Sequence, residues 1–186
     1  MSPETLVSIA IGFGLAAACG FRVFVPLLVV GWAARLGWFA PSAGWAWLAT
    51  TPALVAFSVA TAIEIAAVHV PWLDHVLDVV AAPLAVIAGA LTMAGALGDV
   101  SPLLKWSFAL VAGGGTAGLF HGLNAVLRAG TMATTAGLGN PVFAALETVG
   151  AFLLAALALL LPLAGLALAA AAAAGVWRLG RRAAAR

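Results

Sequence analysis

Eight ionisable side chains lie in stretches of this sequence that are otherwise apolar. A charged group inside hydrocarbon costs about 2.5 to 3.5 kcal/mol on insertion scales, so each of them requires a partner, water or a function. Carboxylates can bind cations or relay protons, and imidazole titrates near neutral pH or binds a metal ion. The eight residues are Glu64, His69, Asp74, His75, Asp78, His121, Arg128 and Glu147.

The composition indicates an integral membrane protein. Of the 186 residues, 65% are apolar and 8% are charged, whereas a soluble domain carries about 25% charged residues. Much of the net charge of +2 comes from a C-terminal tail, so no basic surface suggests a nucleic-acid partner. Cys19 is the only cysteine, which excludes a disulfide within one chain, and the sequence requires no cofactor.

Apolar runs bounded by proline, glycine and charge predict an all-α bundle of about six spans, forming a single membrane domain over residues 1–186. The run 141–179 would reach about 58 Å as one helix, far beyond a hydrocarbon core of about 30 Å, so we expect a turn near Pro162. Asp74 is a candidate cap for the third helix. The predicted spans are 5–34, 51–69, 74–97, 105–129, 141–161 and 163–179.

The two halves of the chain share a pattern of small residues. Gly12, Ala16 and Gly20 precede Phe21-Arg22, and a second series at the same spacing, Gly114, Gly118 and Gly122, encloses Phe120-His121. This pattern predicts a three-plus-three repeat over 5–97 and 102–179. Because each unit has an odd number of spans, the two units would have inverted topology. The alternative is that glycine is simply common in membrane helices.

The basic tail, residues 178–186, predicts a cytoplasmic C-terminus, and six spans would place the N-terminus there too. Counting 1.5 Å per residue then puts Glu64 about 12 Å, Glu147 about 9 Å, and Asp78 and His121 each about 6 Å from the inner face. The same topology puts Arg22 toward the outer side. The inner boundary would hold His69, Asp74, Asn124 and Arg128.

This layer would contain four carboxylates and one arginine, a charge balance that favours a cation or protons. Glu64, Asp78, His121 and Glu147 are therefore the candidate ion site and the candidate metal ligands, although the sequence does not decide whether a metal binds. The alternative is structural. His121, Asn124 and Arg128 form one stripe and Asp74 and Asp78 another, and the two could satisfy each other. Arg22 could equally pair with a backbone carbonyl at a kink.

Several motifs together resemble an uncharacterised bacterial integral membrane family, domain of unknown function 4126. They are Gly20-Phe21-Arg22-Val23-Phe24-Val25-Pro26-Leu27-Leu28, then Glu64 followed by Pro71-Trp72-Leu73-Asp74 and Asp78, and finally Arg128 and Asn140-Pro141 with Glu147. The resemblance implies a polytopic fold in the bacterial inner membrane and implicates those residues. It implies no activity.

Three functions stay open on the sequence. The first is a small transporter or channel that moves a proton, a divalent cation or a small solute between two inverted halves. The second is a structural or assembly protein whose polar groups lock helices together and whose small-residue faces bind a partner, such as a second copy in a homodimer. The third is an intramembrane lipid-processing enzyme, although no HExxH or GxSxG motif is present. All three share the lipid bilayer as a partner.

Overall fold

A computed structural model gives the structure of residues 3–68, 71–98, 100–135 and 139–184. These residues form helices and short connections. A 3₁₀ helix, Ala43–Ala49, precedes α3, and a π-helical segment, Ala109–Gly114, joins α5 to α6. The α-helices of the described residues are α1 (Pro3–Phe21), α2 (Phe24–Arg35), α3 (Thr51–Ala67), α4 (Pro71–Ala96), α5 (Pro102–Phe108), α6 (Gly115–Thr135), α7 (Asn140–Leu160) and α8 (Pro162–Ala184).

Four helical stretches of the described residues are long and apolar enough to cross a membrane, and three apolar helices are shorter. An all-helical membrane fold is therefore supported. The four long stretches are Pro3–Phe21, Val79–Ala96, Pro102–Thr135 and Asn140–Leu160, and the shorter ones are Phe24–Arg35, Thr51–Ala67 and Pro162–Ala171.

Most predicted boundaries agree with the structure to within a few residues. The turn expected near Pro162 is confirmed, because α7 ends at Leu160, α8 begins at Pro162, and Leu161 between them is not helical. The span predicted over 105–129 is longer in the structure, where a helical stretch runs from Pro102 to Thr135 and includes the π-helical segment. The prediction that Asp74 caps the third helix is wrong, since α4 already begins at Pro71.

The prediction of one span over 5–34 is also wrong. The chain breaks at Arg22 and Val23, between α1 and α2. Leu15, seven residues before Arg22, lines the same small cavity as Leu27 and Val30 beyond the break. The chain therefore turns back at the break, and α1 and α2 form a helical hairpin.

The contacts of α1 fix the directions of its neighbours. The rings of Phe13 and Phe108 are 6.3 Å apart, and Gly20 packs against Phe120, so α1 runs in the same direction as α5 and α6. Gly14 instead packs against Ala158 near the end of α7, so α7 runs opposite to α1. An inverted repeat that pairs α1 with α6 would require those two helices to run in opposite directions.

Tryptophan side chains gather where α2 ends and α3 begins. The ring of Trp45 lies 6.3 Å from that of Trp47 and 6.4 Å from that of Trp106, between ring centroids. The Ser42 N–H donates to the carbonyl of Gly95 at the end of α4. We call this part of the bundle the tryptophan end. The twelve residues of α2 span about 18 Å, so the break lies about 12 Å from the opposite face of a 30 Å core.

The centre of the bundle is α1, which packs against α2, α4, α6, α7 and α8. Its residues Ala16, Ala17, Ala18 and Cys19 are fully buried. Small residues allow this close approach, because van der Waals packing rather than hydrophobic exclusion holds membrane helices together. The close packing of α1 holds the break in one place relative to α3, α6 and α7.

Candidate functional site

A cavity of about 220 Å³ lies beside the break, between the end of α1 and helices α3, α4, α6 and α7. Apolar side chains such as Phe21, Leu77 and Met132 form part of its wall. Among the described residues, the polar side chains that line it are Arg22, Glu64, His121, Asn124, Arg128 and Glu147. Six of the nine residues predicted for the site therefore surround one cavity.

The carboxylate of Glu64 binds the first N–H groups of α2. Its Oε1 accepts from the Val23 N–H at 2.8 Å, and its Oε2 accepts from the Phe24 N–H at 3.3 Å. The first N–H groups of a helix have no partner within the helix and carry a partial positive charge. The residue before α2, Val23, offers no side-chain cap. Glu64, which belongs to α3, therefore supplies the cap that α2 lacks.

Arg22 lies at the break and is 5% exposed. Its Nη1 donates to the carbonyl of Glu64 at 3.1 Å, and its Nη2 donates to the carbonyl of Ala144 at 3.2 Å. The expectation that Arg22 could pair with a backbone carbonyl at a kink is confirmed. The guanidinium thus connects α3 to α7.

The expectation that Arg22 lies on the far side of the membrane from the other polar residues is wrong. It followed from one continuous first span, in which Arg22 would lie well past the middle of the core. Because the chain instead turns back at this residue, Arg22 reaches the layer that holds Glu64 and Glu147.

Glu147 on α7 is 5% exposed and lies between two arginines. Its Oε2 is 2.6 Å from Nη2 of Arg128 and 3.6 Å from Nη2 of Arg22. The shorter distance is a charge-assisted hydrogen bond, whereas the longer one is an ion pair without a hydrogen bond. The structure therefore places Arg128 as the partner of a carboxylate.

The predicted stripe on α6 is present. His121, Asn124 and Arg128 all line the cavity, and Asn124 is buried. Their spacing of three and four residues puts them on one helix face. The opposing stripe cannot be compared, because the side chains of Asp74, His75 and Asp78 lie outside the described part of the structure, and His69 lies outside the described residues altogether.

Among the described side chains that line the cavity, the guanidinium groups of Arg22 and Arg128 balance the carboxylates of Glu64 and Glu147. The predicted excess of negative charge also counted Asp74 and Asp78, whose side chains lie outside the described part of the structure, so it stays a prediction. Arg22 adds one positive charge to the layer beyond the count that was predicted. No group of three or more His, Cys, Asp or Glu side chains that could hold a metal ion occurs among the described residues. Of the candidate metal ligands, Glu64, His121 and Glu147 line the cavity, and the side chain of Asp78 lies outside the described part of the structure.

Sequence reasoning missed the backbone groups of the site. These are the N–H groups of Val23 and Phe24 and the carbonyl of Ala144. Because nearly every residue type has such backbone groups, the sequence does not reveal which of them belong to the site. The helix break that exposes the two N–H groups did leave a signal, since Pro26 fits the first turn of a new helix, where its missing N–H costs little.

The comparisons with known proteins give a family and no activity. A search of the curated proteins finds no match to this chain, and a search of the solved structures finds none either. The model of one protein family matches residues 9–182, nearly the whole chain. The chain therefore belongs to the family described as domain of unknown function DUF4126.

Proposed function

We propose that this protein is a small membrane transporter that moves a polar solute through the cavity at the α1–α2 break. The observation that supports the proposal best is the break itself, a hairpin turn between two apolar helices that lies beside a cavity lined by six of the described polar side chains. Interrupted helices beside a polar cavity are typical of transporter binding sites, because irregular backbone within a membrane is tolerated only in protein or beside water.

An inverted repeat fits the helix directions if α1 is left out of it. One unit is then α2, α3 and α4, and the other is α6, α7 and α8. Glu64, near the end of α3, caps the start of α2, so these two helices are antiparallel. Leu28 and Leu36 of α2 line one groove with Phe152 and Leu160 of α7, and we take α2 and α7 to be parallel. It follows that α2 opposes α6 and α3 opposes α7. In this proposal α1 is a central helix that both units surround.

The charge balance of the described site supports a polar solute rather than a divalent cation. A cation would compete with two guanidinium groups close to the carboxylates, and like charges at such distances repel. We assign proton coupling to Glu147. Protonation of its carboxylate would weaken its attraction for Arg22 and Arg128 together, and both side chains line the cavity.

A structural role is the second candidate, and Glu64 favours it. Both oxygens of that carboxylate bind backbone N–H groups of α2, and Arg22 connects α3 to α7. Such groups stabilise the fold even if nothing moves through the cavity. For either function we propose the bacterial cytoplasmic membrane as the location, the lipid bilayer as the surroundings and a homodimer as an assembly to be examined.

The test is transport by purified protein in liposomes, measured by solid-supported membrane electrophysiology and an internal pH dye. The panel consists of small carboxylic acids, amino acids and phosphates, each with and without a pH gradient. We expect at least one compound to evoke a current or a pH change in wild type, and Glu147→Gln to abolish it. Glu4→Gln makes the same chemical change on an exposed residue and should retain the signal.

A folded wild type that gives no signal with any compound would contradict transport. Glu147→Gln with the same signal as wild type would contradict the assignment of coupling to Glu147. The structural role predicts no signal in wild type and a lower unfolding temperature for both Glu64→Gln and Glu147→Gln.

A further inference from the structure

One donor of the buried Arg22 guanidinium is unused. Nη1 and Nη2 donate to the carbonyls of Glu64 and Ala144, but Nε has no hydrogen-bond partner among the described residues. A buried donor without a partner costs about 1 to 3 kcal/mol, and more when the group is charged. The side chain is 5% exposed, so bulk water does not readily supply an acceptor.

The hydrogen bonds of Arg22 go to neutral groups, and its ion pair with Glu147 is a longer contact. Both hydrogen bonds go to neutral carbonyls, and the oxygen of Glu147 lies 3.6 Å from Nη2, beyond an N–H···O hydrogen bond. The nearby carboxylate of Glu64 directs both oxygens to Val23 and Phe24 instead. Nε and Nη2 form the edge of a guanidinium that can donate two parallel bonds to a carboxylate or phosphate.

Arg22 is reached from a second side. Besides the cavity described above, it lines a cleft of about 300 Å³ between α3 and α7. Helices α3 and α7 make little direct contact, and the guanidinium connects their carbonyls at the bottom of the cleft. The other lining residues of the cleft are Ile65, Val68, Pro141, Ala144, Ala145, Thr148 and Val149.

The outer wall of this cleft faces the surroundings of the bundle. Pro141, Ala145 and Val149 are exposed along one side of α7, a helix long and apolar enough to cross a membrane. A molecule could therefore reach Arg22 laterally, with its polar group on the guanidinium and an apolar part among these side chains. The polar groups within reach are the guanidinium and the Thr148 hydroxyl, which donates to Ala144.

We propose that Arg22 binds an oxyanion, a carboxylate or phosphate group that enters through the cleft between α3 and α7 and accepts from Nε and Nη2. This site adds the class of substrate to the proposed transport function. Its role as a substrate site rests on that function. An oxyanion supplies the acceptor that Nε lacks among the described residues.

Equilibrium binding in neutral maltoside micelles tests the site without any gradient. The probes are octyl phosphate, inorganic phosphate and the uncharged octyl glucoside, and the readout is the unfolding temperature across a titration. We expect octyl phosphate to raise the unfolding temperature of wild type and octyl glucoside to leave it unchanged. A response to inorganic phosphate as well would identify a free oxyanion as sufficient, whereas a response to octyl phosphate alone would identify a lipid-borne one.

Two variants locate the binding. Ala145→Trp fills the cleft and leaves Arg22 in place, and we expect it to weaken binding roughly tenfold or more, because the charge-assisted bonds are then out of reach. Leu146→Trp places the same indole ring at the next position of α7, which is exposed and lines neither cavity, and should bind like wild type. Arg22→Lys keeps the charge, loses the Nε–Nη2 edge, and should also weaken binding.

The inference is overturned if no phosphate probe shifts the wild type, if octyl glucoside shifts it equally, or if Ala145→Trp binds like Leu146→Trp. These results are separate from a failure of transport. Binding without flux would leave the oxyanion site and remove the transporter, whereas flux without binding would leave the transporter and remove this site.

Discussion

At the residue level, Glu64 caps a helix to which it does not belong. A cap within the same chain segment, such as Ser or Asp before α2, would satisfy one N–H group. Val23 occupies that position, and the carboxylate arrives from α3 to bind two N–H groups. The interaction joins two helices as well as completing one, so its loss should affect the packing of both.

We expect Glu64→Gln to destabilise the protein by about 1 to 2 kcal/mol. The amide offers one acceptor oxygen, and its NH₂ group would face the N–H of Val23 or Phe24 as a second donor. Reversible unfolding in mixed micelles measures the difference in free energy. Glu4→Gln, at an exposed position of α1, is the matched control, and equal stability of the two variants would show that the cap contributes nothing.

The thiol of Cys19 should report unfolding. It is fully buried in α1, and its Sγ lies 3.9 Å from Oγ1 of Thr92 on α4. We expect no reaction with N-ethylmaleimide in the folded protein and complete reaction once denaturant opens the bundle, followed by mass spectrometry. An added exposed thiol, Ala40→Cys, should react within the first minutes in the same sample. Rapid loss of the native Cys19 thiol without denaturant would show that α1 is not held in the centre of the bundle.

At the level of the helices, glycines decide how closely α4 and α6 approach. A Cβ on Gly89 would lie 2.7 Å from the carbonyl oxygen of Gly113 and closer still to the Cβ of Ala117. A Cβ on Gly113 would lie 2.5 Å from the carbonyl oxygen of Gly89. Because these neighbours are backbone atoms or a Cβ, no side-chain rotation can relieve the overlap. Gly122, in contrast, has open space around it, so only part of the predicted glycine series packs closely.

We expect Gly89→Ala to separate α4 from α6 and to cost about 1 to 3 kcal/mol, the usual range for overpacking. Gly115→Ala is the control, because a Cβ there meets nothing within 4 Å and alanine favours a helix by up to about 1 kcal/mol over glycine. The measurement is the unfolding free energy, with labelling of Cys19 as the readout. If Gly89→Ala were as stable as Gly115→Ala, the close approach of the two helices would be wrong.

The molecule as a whole shows which predictions sequence reasoning can supply. Composition indicated a helical membrane protein, and proline and glycine placed the starts of α3 and α7 and the turn at Leu161 to within about two residues. These features depend on local chemistry. The polar stripe of His121, Asn124 and Arg128 depends only on helical periodicity and was also predicted.

The hairpin at Arg22 could not be placed in the same way, because its stabilising partners are distant in sequence. The carbonyl of Ala144 is 122 residues away and the carboxylate of Glu64 is about 40 residues away. One local signal was nevertheless available. A helix over 5–34 would reach about 45 Å, which exceeds a core of about 30 Å for the same reason that required a turn near Pro162. The error in Arg22's depth then left its positive charge out of the count for the site.

The hairpin has a consequence for the whole topology that labelling can measure. In the structure, α1 begins and α2 ends toward the tryptophan end, so we expect the start of α1 and the connection after α2 to lie on one side of the membrane. A single span over 5–34 would separate them. We expect Glu4→Cys and Ala40→Cys, both exposed, to be labelled by an impermeant maleimide from the same side of oriented vesicles. Ala133→Cys, exposed near the end of α6, should be labelled only from the other side. Labelling of the first two thiols from opposite sides would restore the continuous span and move Arg22 away from Glu147, and the oxyanion site would then have no basis.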